Sequence, residues 1–351
     1  MLRKLKIIDL STVLAGPSVA TFFAELGSEV IKIENKNNPD VTRSWFSKGE
    51  EAGQLSAYFA SINYKKEYRK LDFLDSIDHA LFLKEVVNAD ILISNFKKGD
   101  EEKLNLTDDF LRSVNPQLII GKISGFSHES DRVAYDLILQ AETGFMSING
   151  TKESGPLKLP VALIDVLAAH QLKEGLLLAL LDLKENGTAR TVEVSLYDTA
   201  ICSLMNQASN YLMTGILPER MGSLHPNIAP YGELFQTLDQ KTITFAIGSN
   251  LHFFKLCLYF NLKSLPTDVR YADNKSRVIN RSSLYDYLSD QVCLKTAEEI
   301  SAAMRQEKVP YGIVKNLAEV LNSDVANDMV KSEIIDTTFS KRMPQIAFKW
   351  K

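Results

Sequence analysis

At 351 residues the chain exceeds the size at which a single hydrophobic core stops growing, so two domains or one elaborated domain are expected. Hydrophobic residues make up 45% and charged residues 24%, an ordinary globular balance that argues against a disordered, fibrous or membrane class. With a formal net charge of -4 and cations spread along the chain, no nucleic-acid-binding field is expected, and any anion site must be local.

The first ten residues, Met1 to Leu10, lack the long apolar stretch of a signal peptide, so a cytoplasmic protein is expected. Leu5 to Leu10 is a short β-rich run. It is followed by Ala15-Gly16-Pro17 and a helical stretch to Leu26-Gly27, where glycine suits a helix C-cap. Glu29 to Glu34 alternates charged and apolar residues at period two, the pattern of a half-buried strand, and completes a βαβ unit. The alternation recurs: a helix around Ile77 to Ala89, a strand over Asp90 to Ser94, a helix near Leu106 to Val114 and a strand over Leu118 to Ile123. Such alternation implies an α/β class with an open, mostly parallel sheet.

Gly144, Gly150 and Gly155 with Pro156 and Pro160 mark a loop before an apolar helix from about Val166 to Lys184. Val161 to Leu183 is the most apolar segment. Asp165, His170, Lys173 and Glu174 interrupt it, so it reads as a buried helix and not as a membrane span. Asn186-Gly187 stops that helix, and Thr191 to Leu196 is another strand. From about Pro218 the texture changes, through Gly222, Pro226 and Pro230, to a strand over Thr242 to Ala246 and helices up to Gln306, as in a smaller α+β domain. Cys202, Cys257 and Cys293 are odd in number and lack CxxC spacing, which predicts buried thiols and neither a disulfide framework nor a metal site.

On turn chemistry alone, Ala15-Gly16-Pro17 is a tight βα turn; its functional reading is close approach of a ligand. Neither GxGxxG nor GxxxxGK[ST] occurs, so no dinucleotide fingerprint or P-loop supports a nucleotide fold. A longer series of ordered fragments carries more weight. It comprises Val13-Leu-Ala-Gly-Pro17, Ala24 to Glu34, Asp40-Val-Thr-Arg43, Ala89 to Phe96 and Ile123-Ser-Gly-Phe126. It continues with Tyr135 to Gly144, Val192 to Asp198, His225-Pro-Asn-Ile-Ala-Pro-Tyr231 and Val309 to Val314. This series resembles the CaiB/BaiF family, the class III CoA-transferases, which also contains the α-methylacyl-CoA racemases.

The resemblance implies a large domain with a Rossmann-like sheet over 1–205, to which 320–351 return, and a small domain over 206–319. It also implies two chains interlocked as linked rings, coenzyme A brought as acyl-CoA, a carboxylate acceptor and no metal. The family's catalytic aspartate stands just before a long apolar helix, where this chain has Asp165. Read without the resemblance, Asp165 is a helix N-cap. The two readings are compatible, because a helix N-terminus favours a charged carboxylate by roughly 0.3–1 kcal/mol. Attack by such a carboxylate on a thioester gives a mixed anhydride and divides a hard acyl transfer into easier steps.

For the coenzyme, Asn95-Phe96 with Lys103 resembles the family's segment at the nucleotide, although a solvated charge run would have the same composition. Val13, Ala15, Gly16 and Leu71 match positions around the CoA site in relatives and would otherwise be turn or core residues. Arg43 matches an element near the nucleotide end or is a surface arginine.

At the position of the racemase branch's histidine stands Tyr135, here included among the residues around the acyl-CoA. With a reference pKa near 10, tyrosine is a poor base near neutrality, which favours transferase over racemase chemistry. His170 is expected in a core or an interface. Asn35 and Leu74 replace cations found in relatives, the glycine-rich loop is reduced to Met221-Gly222-Ser223, and the sequence ends at Lys351 where relatives continue. Those departures keep a CoA-binding protein without turnover as a third reading.

Overall fold

The structure, a computed structural model, describes residues 4–51, 54–127 and 130–349. It divides into two compact units: residues 1–145, 158–217 and 327–351 form the larger, and 146–157 with 218–326 the smaller.

In the larger unit the chain runs β1 (Lys6–Asp9), α1 (Ala15–Glu25), β2 (Glu29–Asn35), a 3-10 turn (Val41–Ser44), α2 (Ala57–Ile62), β3 (Glu67–Leu71), α3 (Ser76–Val86), β4 (Ile91–Ser94), α4 (Asp100–Lys103), α5 (Asp108–Val114) and β5 (Ile119–Ser124). It continues through α6 (Asp136–Glu142), α7 (Phe145–Ile148, which straddles the two units), α8 (Leu163–Asn186), β6 (Thr191–Ser195), α9 (Leu196–Cys202) and α10 (Met205–Thr214). The six strands form one all-parallel sheet in the order β3-β2-β1-β4-β5-β6, as the alternating sequence pattern implied. Successive residues of each strand feed opposite layers. Ile7, Ile91, Ile93 and Ile119 pack with α1 and α8, while Ile8, Ile31, Leu92 and Ile120 pack with α3 and α5. Helices on both faces explain why β4 is buried at every residue.

β2 departs from the half-buried strand expected of it. Lys32 and Glu34 are buried along with its isoleucines, because Asp9 and Asp40 neutralise the first and Arg43 the second. Helix α8 lies close on the sheet at Gly175, where a Cβ would collide with the Val192 side chain. Its outer face is not buried as expected, since Leu178 and Leu181 are exposed. His170 is exposed too, so it is not a core residue of this chain, and of the cysteines only Cys257 is buried. No described helix is long and apolar enough to cross a membrane. A C-terminal hairpin, Lys331–Ile335 with Thr338–Arg342, completes the unit.

The smaller unit holds a three-stranded antiparallel sheet, β7 (Phe235–Gln236), β8 (Thr242–Phe245) and β9 (Tyr311–Ile313), packed with helices through Phe253, Leu256, Leu288 and Ile300. The Met221-Gly222-Ser223 turn belongs here, tied by the Gly222 N–H donating to the Gly150 carbonyl at 2.7 Å.

Candidate active site

The strand order reverses direction between β1 and β4, and in such sheets ligands occupy the crevice outside the carboxyl ends of the strands at that switch point. A groove of about 420 Å³ opens there, lined by Leu10 and Thr12 after β1, Asn95 to Lys97 after β4, and Lys103 at the end of α4. Thr12, Asn95, Phe96 and Lys97 also line a second groove of about 210 Å³, which runs on to Val13, Gly125 and Tyr135. The two form one crevice from the basic end at Lys103 to the aromatic end at Tyr135.

Side chains from four other elements hold the β1–α1 turn at the crevice floor. Asn95 Oδ1 accepts from the Thr12 N–H at 2.9 Å, and its amide nitrogen donates to the Thr12 carbonyl at 3.0 Å. Asp9 accepts from the N–H and hydroxyl of Ser11, at 3.0 and 2.5 Å. Lys32 Nζ donates to the Ser11 carbonyl at 2.7 Å and pairs with Asp40 at 3.4 Å. Asp40 in turn accepts from the Val13 N–H at 3.3 Å. Lys66 donates to Asp9 at 2.8 Å and to the Pro17 carbonyl at 3.0 Å.

Burial works against the charge of Asp9, yet Lys32 and Lys66 outweigh it and hold the carboxyl below its usual range. Lys66 is pushed down to about 8, by burial first. These bonds keep Val13 at φ +71°, a left-handed conformation that costs a β-branched residue roughly 1–3 kcal/mol and persists only where the surroundings dictate it.

Asn95→Ala removes both bonds to Thr12. An expected outcome is a lower melting temperature, since a lost pair of hydrogen bonds is worth about 1–3 kcal/mol. Thermal unfolding of both proteins checks it.

The structure brings Val13, Asn95, Phe96, Lys103 and Tyr135 to this crevice and leaves other candidates elsewhere. Ala15 and Leu71 are core residues. Gly16 lies in the first turn of α1, where a Cβ would collide with Ser11, so close packing inside the fold already requires the glycine. Arg43 lies outside the crevice lining. Its guanidinium is committed to Glu34 at 2.6 Å and Asp336 at 2.8 Å, and it stacks 4.0 Å over the Phe59 ring.

Asp165 sits in the first turn of α8 at 7% exposure. It is not the N-cap expected from sequence: Ala162 is, and it offers no side-chain bond. The Ile164 N–H is capped instead by Asp136 of α6 at 2.9 Å. Among the described residues no hydrogen bond is donated to the Asp165 carboxyl. Burial first, and the Asp136 carboxylate second, push its carboxyl up to about 7, not down as the capping position implied. Tyr58 faces the same two carboxyls. Its hydroxyl is pushed up to about 12, by burial first and then by Asp165, Asp136 and Asp40. The Trp45 ring stands between Tyr58 at 5.1 Å and Tyr135 at 6.4 Å, and so joins Tyr58 to the crevice lining at Tyr135.

Sequence reasoning did not single out Asp136, Gln140, Trp45 or Tyr58. The first two were within the Tyr135 to Gly144 fragment, where adjacency to Tyr135 was the available signal.

The sequence profile of CoA-transferase family III matches residues 2–351. The chain belongs to this family. Among its relatives, an acyl-CoA transferase of Fusarium pseudograminearum is 34% identical over 340 residues, 94% of this chain and 74% of that protein. The succinate–glutarate CoA-transferase of Agrobacterium fabrum is 33% identical over 326 residues, 91% of this chain and 81% of that one. Among solved structures, a CaiB/BaiF family protein of Brucella suis matches with a TM-score of 0.83 at 31% identity, over 99% of this chain and 92% of the other. The family III CoA-transferase fold and enzyme class expected from the ordered fragments therefore hold.

Proposed function

We propose that this family III CoA-transferase moves CoA from an acyl-CoA to a carboxylic acid through covalent intermediates on Asp165. The observation that carries the reading is a buried carboxyl, pushed up to about 7 by burial first and then by Asp136, the residue next to Tyr135 of the crevice lining. A carboxylate freed from water and from hydrogen-bond donors is a stronger nucleophile than a solvated one.

An oxygen of Asp165 attacks the acyl carbonyl carbon, the C–S bond breaks, and CoA leaves as the thiolate from a mixed anhydride. The thiolate then attacks the aspartyl carbonyl, which releases the first acid as its carboxylate and leaves an enzyme–CoA thioester. The incoming carboxylate attacks that thioester, and the thiolate returns to the new acyl carbonyl, restoring Asp165. Each step moves one acyl bond and needs no external proton.

Lys103 supplies a cation at the basic end of the crevice.

A homodimer of interlocked chains fits the apolar residues that α10 and its neighbours leave exposed, among them Leu212, Met213, Ile216 and Leu217. Light scattering on the eluting protein should give twice the chain mass; a monomer that turns over acyl-CoA contradicts the dimer.

Acids handled by relatives, including succinate, glutarate, oxalate and mesaconate, define the acceptor panel to screen by mass of the product. Formation of a new acyl-CoA from at least one donor–acceptor pair supports the reading. Hydrolysis of the donor alone, with no transfer to any acid, opposes it.

A further inference from the structure

Asp136 and Gln140 stand one turn apart on α6, and together they hold the segment that delivers Asp165. Gln140 is fully buried. Its amide nitrogen donates to Asp136 Oδ2 at 2.6 Å, and its amide oxygen accepts from the Leu159 N–H at 2.7 Å. The other Asp136 oxygen accepts from Ile164 at 2.9 Å. Because Ala162 has no acceptor to offer, the cap of α8 comes from another helix. The chain is thus pinned at 159 and 164, and Asp165 is the next residue.

We propose that Asp136, supported by Gln140, is a positioning residue for acyl transfer: it fixes the backbone that carries the Asp165 carboxyl and sets a negative charge against that carboxyl. This rests on Asp165 being the nucleophile.

The two carboxyls have unequal surroundings. Asp136 accepts from the Ile164 N–H and from the Gln140 amide. Among the described residues Asp165 accepts no hydrogen bond, and burial and the facing carboxylate both favour its neutral form. The remaining titratable group facing Asp165 is Tyr58 from α2, with Asp40 behind it, and burial keeps that hydroxyl protonated. The aromatic neighbours Trp45 and Tyr135 carry no charge to offset the repulsion.

The pH profile of kcat/KM for the unmodified enzyme, Asp136→Asn and Gln140→Glu tests the proposal, with the Asp165 adduct trapped in each. Asp136→Asn retains an oxygen for Ile164 and removes the charge, so its acid limb should move to lower pH. At about pH 5.5 its rate relative to its own plateau should exceed that of the unmodified enzyme by roughly tenfold per unit moved. Gln140→Glu adds a carboxylate beside Asp136, and its limb should move the opposite way. Opposite shifts with the adduct on Asp165 support the proposal, and if one variant does not fold, the shift of the other decides. An unmoved limb with the adduct still on Asp165 overturns this inference alone. Turnover without an adduct on Asp165 overturns the nucleophile reading on which it rests.

Discussion

Asp165→Asn should abolish CoA transfer and, above neutral pH, make the folded chain harder to unfold. Loss of a covalent nucleophile is expected to lower kcat by a thousandfold or more, on the order seen when such groups are removed elsewhere. The stability effect has the opposite sign because the folded protein holds this carboxyl in an unfavourable place. Its pKa stands at about 7 in the fold against 3.8 for the ordinary side chain. A group raised in this way contributes its full stability below the unfolded value, and that stability drains as pH rises to the folded value. Three units correspond to about 4 kcal/mol as an upper figure. The gain from Asp165→Asn should therefore be largest above pH 7 and vanish near pH 4. Denaturant unfolding of both proteins across that range measures it. A pH-independent difference would show that Asp165 is not the strained group described here. The trade of stability for a charged group at a working site is a general one.

Gly16→Ala should disrupt the crevice floor more than any exchange at its rim. The added methyl falls on Ser11, whose side chain and carbonyl are fixed by Asp9 and Lys32 and cannot retreat without breaking those bonds. Overpacking of this kind costs about 1–3 kcal/mol, and here the strain passes to the turn held by Asp40 and Asn95. Expected results are a lower melting temperature and a rise of at least roughly tenfold in KM for acyl-CoA. Because the clash is between two side chains, Ser11→Gly in the same chain should recover part of both losses, a non-additivity that separates direct contact from a remote effect. Additive losses in the double variant would place the fault of Gly16→Ala somewhere other than Ser11.

Much of the larger unit was legible because helices and strands alternate with clear punctuation. Gly27 and Gly187 end α1 and α8 as the sequence implied. Periodicity could not show that Lys32 and Glu34 face inward. A period of two says that charged residues share a face, and solvent is the ordinary partner of such a face. Here the partners are Asp9, Asp40 and Arg43, which come from other elements and lie within reach only after folding.

The position of Asp165 came from its resemblance to a family, and the residue type before a helix suggested a cap. Which carboxylate caps the helix depends on the approach of α6, some thirty residues earlier in the chain, and no local pattern records that. The reading of Arg43 as a nucleotide contact had the same weakness. Its neighbours in sequence said nothing of Asp336, which the C-terminal hairpin delivers to its guanidinium.

Covalent capture tests the central claim most directly. The full chain is incubated with an acyl-CoA donor that it turns over, quenched, digested and weighed by mass spectrometry, with and without acceptor acid. The account predicts CoA mass on the peptide at Asp165, cleared when acceptor is added and absent from Asp165→Asn. Turnover of the same donor with Asp165 unlabelled, or with the label on another residue, would contradict it.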